Sequence, residues 1–197
     1  MRIACFLARM QPIHNAHLYI VRKMCLENDE VNIFLGSANK SDMVRNPFAL
    51  DLRERLLKQA IENEIGAEHA DKIKVFELPD WTQEGDIANN KEWGLYLYYN
   101  IVSRIQSKKF SIYFSDGPEI MLNWFEDRIQ ERINFVFLER DKIFDGLSAT
   151  KIREAFSNSD VKYVRKYCPS CVVENFEYLK SIWDKVSSDP KNDFSME

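Results

Sequence analysis

Short runs rich in Val, Ile and Phe alternate with longer segments of helical spacing all along this 197-residue chain, and that alternation limits the folds open to it. Residues 3–8, 31–36, 74–78, 110–115 and 134–138 read as strands. Between them, residues 16–26 place His17, Ile20, Val21 and Met24 at turn spacing. Residues 49–65 carry an apolar stripe of Leu52, Leu56, Ala60 and Ile61, closed by Gly66. Further helices are predicted over 91–106, from Pro118 after an Asp116-Gly117 turn, over 148–156, and over 160–185 with a break at Pro169. Strands joined through helices must run parallel, with helices covering both faces. The predicted fold is therefore α/β: a Rossmann-like five-stranded parallel sheet and a small C-terminal helical segment from about residue 160. One domain over 1–187 and a polar tail over 188–197 are expected.

In such sheets ligands bind beyond the carboxyl ends of the strands, where strand order reverses. The loops of interest are 9–15, 37–48, 79–90, 115–118 and 139–147, and nearly every unusual residue falls in one of them.

Bulk properties narrow the ligand. A formal net charge of −4 argues against a protein that coats nucleic acid, which needs a broad basic surface, yet allows one small polyanion held by a local cluster. No apolar run approaches the ~20 residues of a spanning helix, and 3–8 is too short for a secretory core, so neither membrane nor export is expected. Cys5, Cys25, Cys168 and Cys171 are too scattered for a disulfide scaffold, which suits a reducing cytoplasm. Zinc at Cys168-Pro-Ser-Cys171 would need two more ligands, and only His69 remains uncommitted; two thiols near a helix start is the plainer reading.

Two segments carry chemistry. In the first, Arg9 leaves the first strand, Pro12 stiffens the loop, and His14 and His17 lie three apart where a helix begins. Residues so spaced share a face, so both imidazoles can meet one ligand, and the helix N-terminus adds attraction for an anion. A structural alternative has His14 capping the helix and His17 packed in the core. In the second, Ser148 is a natural N-cap, yet Lys151 and Arg153 follow it where the dipole disfavours cations by ~0.3–1 kcal/mol each. An anionic ligand there would resolve the conflict; cations splayed into water would equally account for it.

Together, Ala8–His17 and Ser148–Arg153 resemble the two signatures of the nucleotidyltransferase superfamily, Gly-Arg-Phe-x-Pro-x-His-x-Gly-His and Ser-x-Thr-x-x-Arg. The segment from Gly36 to Phe48, followed by Arg53 or Arg55, is similar to nicotinamide-nucleotide adenylyltransferases of the archaeal type and their bacterial relatives. The likeness runs from about Met1 to Trp183. It implies an enzyme of pyridine nucleotide biosynthesis that joins ATP and nicotinamide mononucleotide into NAD and pyrophosphate. By the same resemblance Arg9, His14, His17, Asp116, Gly117, Ser148, Thr150, Lys151 and Arg153 would hold ATP. Gly36, Ser37, Arg45, Asp80 and Trp93 would hold the acceptor, with His14, His17 and Arg45 acting at the reacting phosphates. Mg²⁺ would accompany ATP, with no dedicated protein metal cage; a homo-oligomer stays open. Ala8 and Ala16 replace the usual glycines and Met10 the usual phenylalanine; at Ala16 the cost is one methyl group near the ligand. A sister transferase using nicotinic acid mononucleotide or phosphopantetheine, and a non-catalytic nucleotide sensor, are the competing readings.

Overall fold

The computed structural model describes residues 1–81, 90–115 and 117–192. In chain order these form β1 (Ile3–Ala8), α1 (Asn15–Glu27), β2 (Glu30–Leu35) and α2 (Leu50–Ala60), which runs into a π-turn at Ile61–Ile65. Then come α3 (Ala67–Ala70), β3 (Ile73–Glu77), α4 (Asn90–Ile105), β4 (Phe110–Phe114), α5 (Pro118–Trp124), α6 (Asp127–Gln130) and β5 (Ile133–Phe137). The C-terminal part holds α7 (Arg140–Phe144), α8 (Ala149–Ser157), α9 (Val161–Tyr167), α10 (Ser170–Glu174) and α11 (Phe176–Ser187). Every predicted strand is present; the short helices α3, α6 and α7 lie in stretches too brief to show a helical period.

The sheet is five-stranded, wholly parallel and ordered β3-β2-β1-β4-β5. The chain builds outward from β1 through β2 to β3, then returns to lay β4 on the other side of β1. Strand order thus reverses between β1 and β4, where adjacent loops leave in opposite directions and a crevice opens.

Period-two alternation divides the strands' side chains between two cores. Ala4 and Phe6 of β1, with Val31, Ile33 and Leu35 of β2, face one core, shared with α1, α2 and α8 to α11. Ile3 and Cys5, with Phe34 and with Phe110, Ile112 and Phe114 of β4, face the other, shared with α4, α5 and α6. The C-terminal helices are stitched into the first core: Phe156 meets Phe48 edge-on at 6.3 Å and Phe176 at 5.5 Å. Cys168 and Cys171 are buried in that core. The Cys171 thiol lies 3.4 Å from the Leu56 carbonyl, and burial pushes its pKa up to about 11.

Candidate active site

A cavity of about 580 Å³ opens at the β1/β4 switch point, within the ~300–1,000 Å³ usual for small-molecule sites. Two stretches build one end of it. His14 is the extended N-cap of α1, with φ −146°, and its carbonyl accepts from the His17 amide at 2.9 Å. The His14 amide in turn donates to His17 Nδ1 at 3.3 Å. An accepting Nδ1 holds the neutral ring's proton on Nε2, so the cap fixes the His17 tautomer. The two rings stack with centroids 3.8 Å apart and 18° between their planes. His14 thus combines both alternatives open to it, since it starts the helix and also lines the cavity beside His17.

The second stretch arrives from the far end of the sequence. Ser148 caps α8, its hydroxyl 3.4 Å from the Lys151 amide. Arg153 side-chain atoms point back toward the helix start, as helical side chains do. Its Nη1 donates to the Gln11 carbonyl at 2.8 Å, across 142 positions of sequence, and its Nη2 to the Thr150 hydroxyl at 3.2 Å. The buried Nε–H of Arg153 has no hydrogen-bond partner among the described residues. Arg9, His14, His17, Ser148, Thr150 and Arg153 therefore share one wall. Lys151 does not line it; its ammonium donates to the Asp145 carbonyl at 3.1 Å. Gly117, the N-cap of α5, is not in the wall either, and Asp116 lies outside the described residues.

Gly36, Ser37, Arg45, Asp80 and Trp93 also line the cavity, Gly36 and Ser37 next to Arg9 and Trp93 among the aromatic residues. Asp80 is clipped in place by Asn39, whose Oδ1 accepts from the Asp80 amide at 2.8 Å and whose Nδ2 donates to its carbonyl at 2.9 Å. Arg45 sits in a tight turn closed by the Asn46 amide on the Met43 carbonyl at 2.9 Å. Trp93 stands 5.5 Å from Tyr96 and meets Trp124 at 88°, centroids 6.3 Å apart. The part of the predicted acceptor loop at residues 82–89, with Gly85, lies outside the described residues.

Four contributors went unassigned in the sequence. Arg53 on α2 is only 1% exposed and donates to the carbonyls of Arg9, Gly36 and Ser37 at 2.7, 2.9 and 3.1 Å. Met10 and Ser37, with φ of 51° and 49°, hold left-handed conformations unusual for non-glycine residues, and Arg53 bonds the Arg9 carbonyl just before the first and the carbonyl of the second. Gln11, 2% exposed, bonds the Phe48 backbone through both side-chain atoms, at 3.0 and 2.9 Å, tying the loop after β1 to the loop after β2. Met121 and Trp124 of α5 line the aromatic end. The family pattern offered one signal, an arginine shortly after Phe48; the other three carried none.

The cavity is also cationic. Burial first, and then the neighbouring Arg9 charge, lowers the Arg53 and Arg153 guanidiniums to about 10, so both remain charged at neutral pH. Fixed positive groups, backbone N–H groups at two helix starts and flat aromatic walls suit a phosphorylated nucleotide.

Fold and site together define a nucleotidyltransferase. The sequence model of the family described as cytidylyltransferase-like matches residues 6–155, and the chain belongs to that family. The nicotinamide-nucleotide adenylyltransferase of Thermococcus kodakarensis is 32% identical over 149 residues, covering 75% of this chain and 69% of that protein, which places this chain among enzymes of that kind. The Pyrobaculum aerophilum protein of the same name is 27% identical over 165 residues, 83% of this chain and 81% of its own. Among solved structures, a bifunctional NMN adenylyltransferase/ADP ribose pyrophosphatase from Francisella tularensis, complexed with AMP and a manganese ion, superposes with a TM-score of 0.68. It is 18% identical, and the match covers 94% of this chain but 52% of that one; at this distance the likeness is one of fold. Among the described residues no helix is long and apolar enough to cross a membrane.

Proposed function

We propose that the cavity binds ATP and nicotinamide mononucleotide together and transfers the adenylyl group, giving NAD and pyrophosphate. The observation that carries this is the Arg153–Gln11 bond, which brings the two cationic helix starts to one point. Arg9, His14, His17, Ser148, Thr150 and Arg153 hold the triphosphate. Gly36, Ser37 and Asp80 receive the acceptor, Trp93 offers its ring a flat partner, and Arg45 reaches the reacting phosphates from the turn above. Asp116 and Gly117 belong to the same nucleotide site by resemblance alone.

An oxygen of the acceptor's 5′-phosphate attacks the α-phosphorus in line; the bond to the bridging oxygen breaks and pyrophosphate leaves with its electron pair. The attacking oxygen is already anionic at neutral pH, so no general base is needed. Two polyanions must instead be held together, and fixed cations with a His17 Nε2–H donor supply that stabilisation. Mg²⁺, when bound with ATP, would neutralise phosphate charge. Its ligands would come mostly from phosphate and water, as is usual for Mg²⁺ with a nucleoside triphosphate.

The test is product identification with ATP and Mg²⁺ against nicotinamide mononucleotide, nicotinic acid mononucleotide and phosphopantetheine in parallel. NAD and stoichiometric pyrophosphate from the first are expected. Tight ATP binding with no pyrophosphate from any acceptor would replace this reading with a nucleotide sensor.

A further inference from the structure

The family match ends at residue 155, yet a residue of α11 packs on Arg153, which lines the cavity. The Trp183 ring lies under the Arg153 guanidinium, with Cζ 5.5 Å from the ring centroid. Both residues are 9% exposed, so the contact is largely sheltered from water. The indole is itself keyed to α8: its Nε1–H donates to the Ser157 hydroxyl at 2.7 Å, and that hydroxyl lies 3.4 Å from the Arg153 carbonyl.

A guanidinium donates only in its plane; its face makes no hydrogen bonds. In-plane, Arg153 is fixed by Gln11 and Thr150, with its Nε–H left over on a residue that lines the cavity. An aromatic ring on the face restrains rotation about the side-chain bonds without competing for those donors. A carboxylate would do the opposite, claiming the donors and cancelling the charge an anionic ligand requires. Cation–π attraction strengthens where the pair is sheltered from water. We infer that Trp183 is a positioning residue: it presses the Arg153 plane into the orientation that meets the triphosphate, making α11 a working part of the nucleotide site. The inference rests on the triphosphate assignment proposed above.

The experiment compares full-length wild type with Trp183→Phe, Trp183→Met and a chain carrying 5,6,7-trifluorotryptophan at position 183, titrated calorimetrically with α,β-methylene-ATP and Mg²⁺. Phe and Met are similar in size, but only Phe keeps a π face. The fluorinated ring stays close to the native shape and keeps its N–H donor while losing the negative face, and a thermal melt matching wild type confirms that the fold is intact. Affinity within ~3-fold of wild type is expected for Phe and ~10-fold weaker binding for Met and the trifluoro ring, with nicotinamide mononucleotide affinity unchanged. In an Arg153→Lys background the trifluoro substitution should add less than ~2-fold, because the planar cation it presents is gone. Wild-type affinity in the trifluoro chain, or its full effect persisting beside Lys at position 153, overturns the inference. A wild type that binds the analogue but makes no NAD would sink the proposed reaction and leave this result standing.

Discussion

The two ends of the cavity are built on different principles. At the phosphate end every cation that lines the wall from α8 or braces it from α2 is clamped by main-chain carbonyls: Arg153 on Gln11, Arg53 on Arg9, Gly36 and Ser37. Those carbonyls end strands or begin loops, so charge position is inherited directly from the sheet. At the aromatic end Trp93 comes from α4 and Trp124 from α5, and their separation depends on how closely two helices pack. Gly94 permits that packing, because a Cβ placed there would lie 1.6 Å from the Trp124 carbonyl oxygen. The first design fixes charge in a frame; the second sets ring spacing by side-chain volume. On the proposed function, the chemistry common to every nucleotide transfer falls to the frame, and discrimination among acceptors to the part that volume can tune.

That contrast breaks most visibly at His17. On the proposed function His17→Ala removes the donor at the reacting phosphate; it also removes the stack on His14 and the acceptor of the His14 amide, though the ring itself is only half-buried. A fall in kcat of ~10³ is expected, in line with losing one preorganised donor, with Tm shifted by less than ~3 °C. Steady-state kinetics beside a thermal melt checks this; near-normal turnover in a stable variant would remove His17 from the chemistry. Arg53→Met comes next. It leaves three carbonyls without their donor, partly offset by removal of a buried charge, and should cost ~3 kcal/mol in urea unfolding. Because Arg53 braces loops at both ends, KM should rise for ATP and acceptor alike. A rise confined to one substrate would show that the frame is not shared.

How far the sequence showed each end follows from the same contrast. The sheet was legible because buried parallel strands read as near-continuous apolar runs; the place of the switch point was not, because alternating strands and helices fit more than one strand order. The phosphate end was legible where residues break a local rule: histidines crowded at a helix start, cations in a first turn that disfavours them. Arg53 breaks no such rule. A charge within an amphipathic helix reads as a solvated surface group, and only the tertiary fold turns it inward. Trp124 and Trp183 were equally silent, since an aromatic residue in a helix is core by default. Ring-to-ring distances between helices depend on packing that no period in the sequence encodes.

The two smallest effects test the aromatic end on its own. Gly94→Ala inserts a methyl group into backbone, which cannot swing aside as a side chain can, so α4 and α5 must separate. About 2 kcal/mol of destabilisation is expected by urea unfolding, with acceptor KM raised and ATP KM unchanged. Trp93→Leu keeps the position apolar but removes the flat partner proposed for a pyridine ring; a ring contact worth ~0.5–1.5 kcal/mol corresponds to roughly 2- to 13-fold in acceptor KM, again without effect on ATP. Leucine should also blunt the preference between the nicotinamide and nicotinic acid mononucleotides, because stacking orients the ring whose substituent distinguishes them. If either variant moved the ATP KM as much as the acceptor KM, the ends would be mechanically coupled through β1 and β4. The sheet would then act as one deformable floor and not as a rigid frame carrying an adjustable wall.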